Sequence, residues 1–85
     1  MRVSIIPVDG NVRKGNVSYI GLDLSSCGIP ADVHALQWEE YEANKGHIEF
    51  NSPLVPNQEI IELPDWANAC LVKWQDEYNR EHPTV

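Results

Sequence analysis

The stretch 33–50, VHALQWEEYEANKGHIEF, constrains the fold of this chain more than any other. In its first arm His34, Leu36 and Trp38 fall on one face, because side chains two apart in a strand point to the same side. That face is wide and apolar, which is typical of a half-buried antiparallel strand. The pattern predicts a strand over residues 33–41.

The second arm shows the same period. Ile48 and Phe50 share one face, against the polar residues between and before them. Residues 44–46, Asn-Lys-Gly, tolerate a positive φ and predict the reversal of the chain. A register slip of one residue would expose the apolar face, so burial fixes the pairing. We expect a hairpin whose second strand covers residues 46–50.

The amino-terminal third predicts a meander of short strands. It starts with β-branched residues, and Pro7, which has no N–H to donate, belongs at a sheet edge or at a strand end. Gly10 and Gly15 are spaced as two turns, although a single long loop over residues 9–16 is the alternative. The predicted strands are 2–8, 11–13 and 16–22.

Two connections follow. Residues 23–32, DLSSCGIPAD, are small and polar with a late proline and predict a loop. Residues 51–58, NSPLVPNQ, predict an extended, polyproline-like surface crossing that carries Leu54 and Val55. Residues 59–63, EIIEL, fit either a short strand or an extended lead-in to the next element.

The carboxyl-terminal part predicts a helix over residues 64–81. Pro64 suits the first helical position, and Asp65 suits the positive end of the helix dipole. Apolar residues recur at helical spacing and form one stripe. The stripe consists of Ala67, Cys70, Leu71, Trp74 and Tyr78, flanked by Trp66.

Together these elements predict a single α+β domain. Eighty-five residues leave no room for a second core, and strands precede the only helix. We expect a small antiparallel sheet of four or five strands, in a meander of hairpins, with the helix packed on one face. Trp38, Trp66 and Trp74 would meet in the core.

The charge is −7 and uneven: residues 23–65 hold nine carboxylates against Lys45 alone. This balance argues against nonspecific nucleic-acid binding, which depends on neutralising phosphates. The acidic surface fits a solvated face, a contact with a basic partner, or a mimic of nucleic acid. No apolar run has the length of a membrane span, so we expect a soluble protein with no membrane contact.

Cys27 and Cys70 lie outside any C-x-x-C motif, and we expect both to be reduced, with a disulfide between them as the alternative. The histidines at 34, 47 and 82 match no metal-ligand spacing, and no serine stands in an activating motif. Scattered glycines offer no phosphate loop. We therefore expect neither a catalytic site nor a cofactor or metal.

With these sites not expected, recognition of another protein is the kind of function that the sequence still allows. The candidate partner-binding residues are Leu54, Val55, Glu39, Glu40 and Glu42. The two aliphatic residues could contact a partner or pack over the sheet edge. The three glutamates form a cluster that could suggest acid/base chemistry, but a strand end near a turn is screened by water.

Five segments, in order, carry a resemblance: SIIPVDG, YIGLDLS, IPADVHALQW, GHIEF and ELPDWANACLVKW. Over most of residues 3–75 the chain resembles small proteins of tailed bacteriophages and prophages, often encoded beside tail-fibre genes. It departs from their pattern at Cys27-Gly28 and in a longer EEYEANK turn. The resemblance implies a tail or tail-fibre assembly role and supplies no catalytic motif.

We therefore expect a non-enzymatic phage accessory protein that binds another protein, in tail or tail-fibre assembly or as a minor tail component. The second hypothesis is an inhibitor that binds a host enzyme through its acidic surface. The third is a small enzyme whose site the sequence does not reveal. The expected location is the cytoplasm of the host bacterium or the assembled virion.

Overall fold

The computed structural model describes residues 2–40 and 45–82. Six strands precede one long helix, which confirms the predicted α+β fold with a helix packed on an antiparallel sheet. The strands are β1 (Arg2–Ile6), β2 (Asn11–Lys14), β3 (Val17–Tyr19), β4 (Val33–Glu39), β5 (Lys45–Phe50) and β6 (Gln58–Ile60). The helix is α1 (Asp65–Glu81), and a single 3-10 turn covers Pro7–Asp9.

The six strands form one sheet in the order β3-β2-β1-β4-β5-β6, and every neighbouring pair is antiparallel. This is one or two strands more than expected, and β1 lies in the middle rather than at an edge. The chain therefore leaves β3 at one edge and returns through residues 20–32 to pair β4 with β1.

Burial on one face of the sheet explains the position of β1. Val3 and Ile5 are fully buried, and Leu36 of β4 is their equally buried neighbour. Helix α1 covers this face with Ala67, Cys70 and Trp74, which belong to the same apolar cluster. Trp38 and Trp74 are inside this cluster and Trp66 packs at its margin. The three tryptophans therefore share one core, as predicted.

The meander of the first three strands is confirmed, with narrower bounds. β1 ends at Ile6 because Pro7 begins the 3-10 turn, and β3 ends at Tyr19 rather than at residue 22. Gly10 and Gly15 have φ values of 59° and 62°, so both predicted turns use the left-handed region.

The central hairpin pairs Leu36 with Ile48 and Val33 with Phe50, but one predicted face was wrong. A register shift between Val33 and Ala35 turns Val33 to the buried face and leaves His34 exposed. An extra residue in one strand has this effect because it interrupts the alternation of side chains. The predicted alternation of side chains between the two faces therefore holds only for the residues of β4 after the bulge.

Gly46 has a different role from the predicted one. It does not adopt a positive φ but lies inside β5, opposite Trp38. A β-carbon on Gly46 would come within 2.1 Å of the carbonyl oxygen of Gln37, so the residue permits a close approach of two strands. Asn44, the first residue of the predicted reversal, lies outside the described part of the chain, and Lys45 begins β5.

The segment after β5 is a compact turn rather than an extended crossing. The amide of Val55 donates to the carbonyl oxygen of Ser52 at 3.1 Å, and Leu54 bonds the Ser52 hydroxyl through its amide at 3.3 Å. Strand β6 then covers Gln58–Ile60, one residue earlier than the predicted 59–63 and shorter.

Helix α1 crosses the sheet from one edge to the other. Pro64 is its N-cap residue, and the helix runs from Asp65 to Glu81, close to the predicted 64–81. Its first turn lies beside Gln58 and Ile60 of β6. Further along, Trp74 bonds the backbone of β3. The apolar stripe faces the sheet along this whole path, as the spacing predicts.

Candidate functional site

Leu54 and Val55 are at the surface, in the turn between β5 and β6. Leu54 is 91% exposed and Val55 43% exposed. The start of this turn is held by Asn51, whose amide donates to the carbonyl oxygen of Asp32 at 2.9 Å. The structure therefore presents Leu54 to solvent on an anchored turn rather than packed over the sheet, whereas more than half of Val55 is covered.

The candidate glutamates lie elsewhere. Glu39 is at the far end of β4, where its carboxylate accepts a hydrogen bond from Arg2 Nε at 3.2 Å. Glu40 is exposed just after the strand, and Glu42 is outside the described residues. Val33, where β4 pairs with Phe50, and Glu39 are six positions apart, about 20 Å at the usual rise, so the structure does not join Glu39 and Glu40 to Leu54.

The sheet face away from α1 is polar across all six strands. Directly paired positions form one row, which consists of Ser18, Arg13, Ser4, Gln37, His47 and Glu59. Charge changes sign along this row, from Arg13 on β2 to Glu59 on β6. The two ends of this row therefore carry opposite charges, which the sequence totals alone do not show.

A cleft lies on the other face, between β6 and the start of α1. We call it the β6 cleft; its volume is about 640 Å³. Its apolar lining is half-buried and includes Phe50, Ile60, Leu63 and Trp66. The sequence pattern does not predict this cleft. Its one sign in the sequence is Trp66, a large apolar residue that flanks the helix stripe instead of belonging to it.

Cys27 and Cys70 come together in the core, although 43 positions separate them. Both are free and buried, and both belong to the same apolar cluster. Burial, and then the neighbouring Cys27, raises the pKa of Cys70 to about 12. A raised pKa makes the Cys70 thiol a poorer nucleophile at neutral pH, and its side chain packs in the core.

The three histidines lie apart from one another. His34 is exposed at the bulge, His47 Nε2 lies 3.4 Å from a carboxylate oxygen of Glu49, and the His82 ring stacks on Tyr78 with centroids 4.2 Å apart. Within residues 2–40 and 45–82, no three His, Cys, Asp or Glu residues are placed to hold a metal ion.

The helix of the described chain is too short and too polar to cross a bilayer. Comparison of the chain with models of protein families, with curated proteins and with solved structures finds no match. The candidate site consequently rests on the geometry of the chain itself: an exposed turn, the edge strand β6 and a partly apolar cleft beside that strand.

Proposed function

We propose that the protein is a non-enzymatic accessory protein of a tailed bacteriophage and acts by binding another protein. Its role would be in tail or tail-fibre assembly or as a minor component of the tail. Two lines of support exist. One is the resemblance of five sequence segments to small phage proteins, and the other is the exposed turn that carries Leu54 and Val55.

The turn is the observation that carries the proposal. Single exposed leucines are common on protein surfaces, so exposure alone decides little. Here, however, backbone bonds at Asn51 and Val55 hold the turn in shape while Leu54 points almost wholly into solvent. A surface ordered before binding loses less conformational entropy on association, which favours recognition at this place.

Affinity capture tests the proposal. The tagged protein is used to retain proteins from infected cells, and the bound fraction is analysed for tail and tail-fibre proteins by mass spectrometry. We expect a tail or tail-fibre protein to be retained, and Leu54→Asp to reduce its recovery at least tenfold. Val72→Asp is the matched control, because Val72 is 59% exposed on the helix and lies outside the turn.

Two outcomes would contradict the proposal. Recovery of no tail or tail-fibre protein by the unaltered chain would reject the phage-assembly role. Recovery of a host nuclease or polymerase, in a complex that weakens strongly between low and moderate salt, would favour the inhibitor hypothesis instead. Salt has this effect on a charge-mimic complex because mobile ions screen exposed charges.

A further inference from the structure

The two edges of the sheet are protected to different degrees. At the β3 edge, the indole Nε1 of Trp74 donates to the carbonyl oxygen of Val17 at 3.0 Å. Tyr19 packs against the same indole, with ring centroids 6.0 Å apart. A covered edge cannot accept another strand readily, because its backbone groups are already engaged or shielded.

Within residues 2–40 and 45–82, no comparable hydrogen bond covers the β6 edge. One side of Gln58–Ile60 pairs with β5, and the sheet ends there. Among the described residues, no turn or loop backbone bond involves these three residues. Unpaired N–H and C=O groups on an edge strand form a template for an additional strand.

The β6 cleft lies where alternate side chains of an added strand would point. Ile60 faces the helix side of the sheet and lines this cleft together with Leu63 and Trp66. An added strand would therefore direct every second side chain into this cleft, where Ile60, Leu63 and Trp66 offer apolar surface within a polar rim, and the intervening side chains toward the polar face. The cleft thus favours apolar residues at alternate positions.

The acidic residues near β6 indicate which side chains suit the intervening positions of the added strand. Glu59 is exposed on the polar face, and Glu62 and Asp65 are exposed members of the cleft lining. A second copy of this chain paired through β6 would bring its own Glu59 to the same edge, which like-charge repulsion disfavours. The complementary occupant carries lysine or arginine between its apolar residues.

We propose that β6 accepts an extended segment of another protein as a seventh strand, and that this segment alternates apolar with basic residues. Its apolar side chains enter the β6 cleft and its basic side chains face Glu59. This inference rests on the proposed function, because it assumes that the protein binds proteins, and it names the chemistry of the bound segment.

The test uses the full chain, labelled with ¹⁵N, and three synthetic octapeptides. One alternates valine and lysine, one alternates valine and glutamate, and one has four lysines followed by four valines. We expect the first peptide to shift the amide resonances of residues 58–63 and the indole resonance of Trp66. At ten times its Kd it should slow amide exchange of the outward-facing β6 groups about tenfold.

A charge swap sharpens the test. Glu59→Lys should weaken binding of the valine–lysine peptide at least tenfold and allow binding of the valine–glutamate peptide. The control is Asp76→Lys, the same change of charge at an exposed helix position away from β6. It should leave the Kd of the valine–lysine peptide within about twofold of the value for the unaltered protein, a difference typical of screened surface charges.

The inference is overturned if the valine–lysine peptide shifts no resonance in residues 58–63, or if the block peptide binds as well, since charge alone would then suffice. Failure of the proposed function is a separate result. If Glu59→Lys still captures a tail-fibre protein in full, the protein-binding role stands and the edge site is wrong. If the peptide binds at β6 but no tail protein is captured, the edge site stands and the phage role fails.

Discussion

The indole nitrogen of Trp74 donates a hydrogen bond to the backbone carbonyl oxygen of Val17 at 3.0 Å, across 57 positions of sequence. This bond joins the helix to the edge strand β3. Because α1 crosses the whole sheet, the same helix closes one edge at Trp74 and forms a wall of the β6 cleft at its start. One packing arrangement thus covers the β3 edge with Trp74 and sets the first turn of α1 beside the β6 cleft.

Replacing Trp74 tests this arrangement. Trp74 is buried in the core and stacks on Tyr78, with ring centroids 5.1 Å apart. We expect Trp74→Ala to lower the free energy of unfolding by about 3–5 kcal/mol, the usual cost of emptying a large aromatic site. Chemical denaturation measures the effect, and a midpoint that hardly moved would show that the helix is not held by this residue.

Trp74→Phe separates the ring from the hydrogen bond. Phenylalanine keeps an aromatic ring in the core but cannot donate to the carbonyl oxygen of Val17. We expect the lost hydrogen bond to lower the free energy of unfolding by roughly 1 kcal/mol, in addition to the packing that the smaller ring loses. Amide exchange of β3 should increase more than that of β1, and equal changes in both strands would contradict the edge-capping role.

Gly10 and Gly15 form a matched pair for a second prediction. Their φ angles are nearly equal, but a β-carbon on Gly10 would lie 2.6 Å from the carbonyl oxygen of Leu22, while one on Gly15 meets nothing within 4 Å. We expect Gly15→Ala to cost about 1–2 kcal/mol through backbone conformation alone. Gly10→Ala should cost a further 1–3 kcal/mol or so, because a backbone atom must move.

Denaturant midpoints of the two variants, compared with unaltered protein, decide this prediction. Equal losses would mean that the contact between Gly10 and Leu22 is not close in solution. A larger loss for Gly10→Ala would confirm that the loop after β3 is fixed to the 3-10 turn, where the amide of Leu22 also donates to the carbonyl oxygen of Gly10 at 3.0 Å.

The sequence predicts the helix and the pairing of the central hairpin because both depend on local periodicity. Trp74 and Cys70 share the buried helix face, and Leu36 meets Ile48, as the spacing requires. The exposure of His34 was not predictable in this way, since a bulge changes which face a residue takes without changing composition. Gly46 likewise could serve a turn with positive φ or a close contact between two strands. Only the nearness of the Gln37 backbone decides for the contact.

The candidate site was predictable only in part. Leu54 and Val55 stand out because prolines flank them, whereas the β6 cleft requires Ile60 and Trp66 to come from separate elements. Which edge of the sheet is open depends on the strand order and on the reach of the helix. Neither property is encoded in a short window of sequence, so the edge could be found only in three dimensions.

The ion pair between Arg2 and Glu39 supports a third prediction. Both side chains are substantially exposed, 63% and 37%, so water screens their attraction. We expect Glu39→Gln to change the free energy of unfolding by less than about 1 kcal/mol. The same variant should leave capture of a tail-fibre partner intact, and a strong loss of capture would instead support recognition through the acidic surface.

The thiol pair supports a fourth prediction, on pH. Burial, followed by Cys27, raises the pKa of Cys70 to about 12, against 9.0 for an unperturbed thiol. Between these values the unfolded chain has lost the thiol proton and the folded chain retains it. The contribution to stability is therefore complete below about pH 9 and declines as the pH rises toward 12.

Cys70→Ala isolates this contribution. Tyrosines and lysines also titrate in the same range, but they do so in both proteins, and the difference between the two stability curves cancels most of their effect. We expect the unaltered protein to lose stability faster than Cys70→Ala from pH 8.5 to 10.5, in urea unfolding followed by tryptophan fluorescence. Parallel curves would mean that Cys70 ionises as readily in the folded chain as in water, and hence that water reaches the junction between α1 and the 20–32 loop.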